Sequence, residues 1–187
     1  KANVEAMFGA VGERLAANGV SVSIVVVGGT AMNMRGYVDR PTTDVDVLAR
    51  ADTETRRLIH PEPLPPALRE AIKEVALDFG QPDDWMNTAT AGQWQLGLPP
   101  GLETRVAWTD FGGLRVGIAA REDLIALKLF AAADQPGPSV HLDDLFALRP
   151  TLDDIRAAAA WVRTQDTSDE FHAVVDRVTA YVKARIA

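Results

Sequence analysis

The sequence contains no cysteine, which excludes disulfide staples, thiolate nucleophiles and cysteine-based zinc sites. It also lacks any uninterrupted apolar run approaching the roughly 20 residues that a membrane helix requires, and its N-terminal stretch does not show the basic-then-apolar order of a signal peptide. Positive charge is in the minority: 19 Lys and Arg against 26 Asp and Glu leave a formal net charge of −7. That balance argues against a broad, sequence-independent grip on nucleic acid, which depends on neutralising many phosphates. What remains is ordinary globular chemistry, 47% hydrophobic and 24% charged over 187 residues, enough to bury a core without staples. The expectation is a cytoplasmic protein with no membrane partner.

Apolar residues recur at helical spacing over residues 3–18 (Val4, Met7, Phe8, Val11, Leu15), and Gly19 follows where a left-handed cap would sit. Residues 20–27 are dense in Val and Ile, the mark of a strand buried on both faces. That strand stops at Gly28-Gly29; residues 30–35 suit a short helix, and 37–43 a loop broken by Pro41. The alternation D-V-D-V opens a second strand over 44–49. Four prolines between 61 and 66 mark a linker, and the second pair opens a helix over 67–79 closed by Gly80. Residues 81–101 carry mixed signals and receive no regular structure, although Trp85 and Trp94 point to packed chain. Residues 105–108 and 114–119 read as a hairpin around Asp110-Phe111-Gly112-Gly113. Helices are expected over 121–134, 141–148, 151–164 and 167–185. Thr167 with Glu170 has the form of a full capping box, and Thr151 with Asp154 that of a weaker variant. The fold class is therefore α/β (α+β), a small mixed sheet flanked by helices with a helical C-terminal part.

Chemistry concentrates in residues 25–48. A buried strand ending in Gly28, Gly29 and Thr30 lets backbone approach a ligand closely, and the free N–H groups of a following helix suit an anion, so this turn is a candidate phosphate seat. Such a turn also needs glycine for its geometry alone. It matches neither G-x-G-x-x-G nor a P-loop. Asp44 and Asp46, at i and i+2 on a strand, leave one face about 6.6 Å apart at roughly 3.3 Å rise per residue. Two neighbouring carboxylates with phosphate oxygens and water suit Mg²⁺ or Mn²⁺; alone, a D-x-D is also the pattern of two surface acids on an edge strand. Arg40 and Thr42 would orient this strand or contact phosphate, or Arg40 would pair with Asp39 or Asp44. The residues between Gly29 and Asp44 suffice for a short helix and a return loop, which would bring both motifs together. Lys128 interrupts an apolar stripe with Leu124, Leu127 and Ala131; its plain explanation is a buried stem with the ammonium at the rim. His60 and His172 read as surface residues, and Trp161 and Tyr181 as parts of apolar helix faces.

Gly28-Gly29-Thr30-Ala31 followed by Arg40-x-Thr42-x-Asp44-x-Asp46 resembles the nucleotidyltransferase superfamily related to DNA polymerase β, and within it the bacterial branch near the AbiEii-type toxins. The resemblance covers roughly residues 20–148. It implies a nucleotidyltransferase-like domain over 1–148 with a helical extension over 149–187. It also implies transfer of a nucleoside monophosphate from a nucleoside triphosphate to an acceptor hydroxyl on tRNA, protein or a small molecule, with a cognate antitoxin as a further partner. Lys128 is similar to a lysine thought to reach the triphosphate in that branch. Where the branch shows D-x-x-D, this chain has His141 and Asp144, which makes the pair accessory candidates. Many active members carry a third carboxylate on a strand of the later hairpin; residues 105–108 contain none, and Glu103 or Asp110 would need a suitable register. The alternative is a catalytically silent binding or regulatory module on the same fold.

Overall fold

Residues 2–42, 44–135 and 137–186 are described by the computed structural model; Thr43, the last residue of the expected 37–43 loop, lies outside the described residues. The protein is mixed α/β, with a six-stranded mixed sheet, flanking helices and a helical C-terminal part. The chain divides into two compact units, residues 1–95 with 103–119 and residues 96–102 with 120–187. In the second unit, helix α5 (Arg121–Asp134) packs with α6 (Val140–Ala147) and with the C-terminal helices. Among the described residues, no helix is long and apolar enough to cross a membrane.

In the sheet unit, the Val/Ile run becomes β1 (Val22–Val27), the inner strand. It pairs antiparallel with β2 (Val45–Ala51) on one side and parallel with β6 (Leu114–Ile118) on the other. The order is β3-β2-β1-β6-β5, with β3 at Leu58–Ile59 and β5 at Ala107–Phe111. The mixed region 81–101 contains a further strand, β4 (Met86–Asn87), parallel to the start of β2, and a 3₁₀ helix at Ala89–Leu96. β3 and β4 thus share the outer edge of β2: β4 borders Val45 and Asp46, and β3 borders Arg50 and Ala51.

Helix α1 (Ala2–Ala17) packs on β5, β6 and α3 (Pro66–Phe79), burying Phe8, Val11 and Leu15 completely. Arg14 links α1 to Glu74 and Asp78 of α3. Trp85 is buried and its indole N–H donates to the Ile72 carbonyl at 3.0 Å. The short helix α2 runs over Gly28–Met34, two residues earlier than expected, and packs on β1 and β2. A four-residue helix, α4 (Leu102–Arg105), precedes β5.

The helical unit is organised on α5, whose residues 123–129 are all buried, against α6, α7 (Leu152–Val162) and α8 (Asp169–Ile186). A helix apolar on nearly every side belongs at the centre of a bundle. Trp161 is buried beside Phe130, at 6.2 Å between ring centroids, but Tyr181 is 47% exposed and does not join the core. His60 and His172 are half-buried rather than on the open surface; the former lies edge-on to Trp94, and the latter is 3.1 Å from the Arg163 carbonyl.

The two capping motifs exchange ranks. Thr151 and Asp154 form the complete reciprocal box, with backbone-to-side-chain bonds of 2.8 and 3.1 Å. At α8, Ser168 rather than Thr167 stands just before the first helical residue, and its hydroxyl accepts from the Phe171 N–H at 3.3 Å. Burial pushes the Asp154 carboxyl up, but bonds from the Thr151 N–H, the Arg121 guanidinium and the Thr151 hydroxyl outweigh it, and the carboxyl is held below its usual range. A carboxylate depressed on folding contributes stability above its unfolded pKa of about 3.9 and loses it as pH falls through the folded value. Asp154→Asn is therefore expected to lower the urea midpoint at pH 7, and the gap to wild type to narrow below about pH 4. An equal gap at pH 7 and pH 3 would contradict this account.

Candidate active site

The site forms where β1 ends and β2 begins. Register along β1 and β2 slips by one residue between Val25 and Val26, so that Val25 faces Ala49 but Val26 faces Val47. Leu48 is the extra residue. Without this bulge Val27 would stand opposite Val47; with it, Val27 stands opposite Asp46. Bulges re-aim side chains in this way. The next residue is Gly28, at φ +69°, a backbone conformation that L side chains rarely adopt. A Cβ there would collide with the Asp46 Oδ2 atom. Glycine is thus favoured at 28 by the turn, and any side chain there would have to displace the Asp46 carboxylate.

Gly29 is covered by the return loop. An ideal Cβ on it would lie 3.0 Å from Thr42 Cγ2 and 3.6 Å from Arg40 Nη2, which places the guanidinium at the glycine turn. Thr30 is buried, and its hydroxyl donates to the Asp44 carbonyl at 2.7 Å while lying 3.1 Å from Thr42 Oγ1. One turn later, the Asn33 amide donates to the Arg40 carbonyl at 2.9 Å. Arg35, beyond the helix, donates to the Ile118 carbonyl at 3.2 Å. Asp44 precedes β2 and is exposed, while Asp46 within it is half-buried and paired in register with Asn87 of β4. A cavity of about 330 Å³ opens beside this group; Thr30, Asn33, Asp39, Arg40, Thr42, Asp44, Met7 and Trp85 are among the residues that line it.

Gly28, Gly29, Thr30, Arg40, Thr42, Asp44 and Asp46 are therefore neighbours, as the motif spacing suggested. Asn33 and Asn87 were not singled out from sequence. Asn33 had a usable signal, three residues after Thr30 on a helix and so on the same face. Asn87 had none, because a two-residue strand has no period to detect.

The hairpin register excludes Asp110 as a third carboxylate at this end of the sheet. Asp110 lies opposite Arg115, which lies opposite Ser23, whereas Ala107, Ile118 and Val26 form the row before Val27. Three residues at roughly 3.3 Å each put Asp110 about 10 Å down the strand. Its carboxylate is 3.3 Å from the Arg115 guanidinium there. Among the described residues, no group of three or more His, Asp or Glu side chains comes together to hold a metal ion.

Lys128, Asp144 and His141 belong to the helical unit. The Lys128 side chain is not at a rim: it is buried, and its ammonium lies 2.7 Å from the carboxylate of Asp144, which is 2% exposed. His141 stands three residues before Asp144 on α6, within one turn of it.

Residues 7–149 match the model of a family described as "Nucleotidyltransferase of unknown function (DUF6036)". No curated protein and no solved structure matches the chain.

Proposed function

Because the chain belongs to this nucleotidyltransferase family, we propose that its sheet unit is a metal-dependent nucleotidyltransferase, moving a nucleoside monophosphate from a nucleoside triphosphate to an acceptor hydroxyl. The observation that carries this reading is the contact between the glycine turn and the acid strand: Asp46 against Gly28, Arg40 and Thr42 over Gly29, and Asp44 tied to Thr30. Backbone N–H groups at Gly28 and Gly29, with the Arg40 guanidinium, would seat the β and γ phosphates. A new bond from the acceptor oxygen to the α-phosphorus forms as the bond to the bridging oxygen breaks, pyrophosphate leaves, and the hydroxyl proton passes to solvent. Catalysis of this kind is largely positioning and charge stabilisation, so few groups suffice.

Asp44 and Asp46 would hold Mg²⁺ or Mn²⁺. A pair of carboxylates suits an ion that takes its other ligands from triphosphate oxygens and water. Bound there, the ion supplies Lewis-acid stabilisation of the phosphoryl charge. The likeness to the AbiEii-type branch further assigns Lys128 to the triphosphate, with Asp144 and His141 as accessory groups. The same likeness supplies tRNA, a protein or a small molecule as acceptor, and an antitoxin as partner.

The second reading, a catalytically silent nucleotide-binding or regulatory module, is favoured by one observation: the register that takes Asp110 away from the acid strand. The test is incubation with each α-labelled nucleoside triphosphate, Mg²⁺ or Mn²⁺, and total tRNA or lysate protein. Label transfer is expected in wild type and a loss of about 100-fold or more in Asp44→Asn. Magnesium-dependent triphosphate binding without transfer would support the silent module; absence of both rejects the site.

A further inference from the structure

Thr30 stands in the glycine turn, where a hydroxyl facing the phosphates would be one more ligand. Its surroundings are different. The residue is 1% exposed, and its single hydroxyl proton is directed to the main-chain carbonyl of Asp44 at 2.7 Å. With that proton committed, the 3.1 Å contact to Thr42 must be donated by the Thr42 hydroxyl. The result is a directed chain, from Thr42 through Thr30 to the Asp44 backbone. One turn along α2, Asn33 holds the Arg40 carbonyl. Two buried polar side chains of a seven-residue helix thus grip the return loop, once at Arg40 and once across positions 42 and 44.

We infer that Thr30 is a positioning residue rather than a phosphate ligand: it fixes the Asp44 main chain relative to the glycine turn, and so sets the spacing between triphosphate seat and metal-binding carboxylates. The inference rests on the nucleotidyltransferase reading above for the roles of those groups. Its physical basis is general. Asp44 is exposed and precedes its strand, outside the ladder that holds Asp46 between β1 and β4. The Asp44–Val45 peptide unit is held on its other side by the Val45 N–H, which donates to the Trp85 carbonyl at 2.6 Å; the bond from the buried Thr30 hydroxyl to the Asp44 carbonyl ties that same unit to the glycine turn. Groups that orient ligating carboxylates through a hydrogen bond typically carry about 10–100-fold in metal affinity or activity.

The test compares wild type, Thr30→Val and Thr30→Ser. Valine keeps the volume and removes both hydrogen bonds; serine keeps the hydroxyl. Three measurements are made on the full chain: urea midpoint, Mn²⁺ affinity by water-proton relaxation with a non-hydrolysable triphosphate present, and amide hydrogen exchange over residues 40–46. Thr30→Val is expected to remain folded, to bind Mn²⁺ roughly tenfold more weakly, and to exchange faster over 40–46. Triphosphate affinity without metal should be nearly unchanged, and Thr30→Ser should restore wild-type values. A Thr30→Val protein that matches wild type in Mn²⁺ affinity, or that loses metal-free triphosphate affinity as a phosphate ligand would, overturns the inference. So does a Thr30→Val protein that fails to fold while Thr30→Ser folds without normal Mn²⁺ affinity. Wild type that shows no metal-dependent triphosphate binding overturns the underlying functional reading instead, and is recognised before any variant is compared.

Discussion

Gly12→Ala is expected to destabilise the sheet unit by about 3 kcal/mol or more, read as a fall in the urea midpoint or loss of soluble protein. Intrinsic preference runs the other way, since alanine is better than glycine in a helix by about 1 kcal/mol. Sterics decide the sign. A Cβ on Gly12 would overlap the Phe111 carbonyl oxygen and lie 2.6 Å from its carbon, and backbone cannot move aside as a side-chain tip can. The opposing surface is equally tight: a Cβ on Gly113 would lie 2.6 Å from the Ala16 nitrogen and 2.7 Å from the Val20 oxygen, and the Gly113 N–H donates to the Gly12 carbonyl at 2.9 Å. Helix α1 and the β5–β6 turn thus meet main chain to main chain. A Cβ on Gly9, one turn earlier on the same helix, would meet nothing within 4 Å, so Gly9→Ala is expected to stabilise by about 0.5–1 kcal/mol. Two glycine-to-alanine changes three residues apart with the same sign would refute the packing described.

The second large effect is expected at Lys128. Removing its ammonium, as in Lys128→Ala, takes away a positive charge 2.7 Å from the nearly inaccessible Asp144 carboxylate; breaking a buried pair in this way typically costs about 3–5 kcal/mol. Replacing both members by apolar residues of similar volume, Lys128→Met with Asp144→Leu, is expected to recover most of that loss, because neither charge then has to be desolvated. Urea denaturation of the two single variants and the double variant measures the coupling. The double variant also separates structure from chemistry. If Lys128 serves the triphosphate, the double variant folds and loses label transfer; if the pair only organises α5 and α6, it folds and transfers normally.

The large elements and the seven clustered residues of the site were legible because each rests on local pattern: helical spacing in α1 and α5, a Val/Ile run in β1, glycine before a short helix, alternation at Asp44 to Val47. What was not legible depends on distant partners. β4 is two residues long and exists only through its pairing with Val45 and Asp46. The grip of Thr30 on Asp44 needs the return loop folded back across 14 positions. Lys128 looked like a stem reaching for solvent until Asp144, sixteen positions on, supplied a buried anion. Position 110 could be placed only once the hairpin register was known. The caps show the same limit at short range: Thr151 succeeds with a nominally weaker partner because Arg121 also holds Asp154, at 3.0 Å.

The extra residue at Leu48 gives β2 two phases. Toward Ala51 the strand keeps step with β1 as a plain antiparallel ladder; toward Val45 it runs one count out of step. The parity of inside and outside is therefore not continuous along the segment, and the acid tip is set independently of the apolar stem. Mutational drift in the stem can alter packing volume without rotating the tip. An insertion or deletion between 47 and 49, by contrast, would change the count itself and turn Asp46 away from Gly28, with most of the sheet's apolar contacts still available to it.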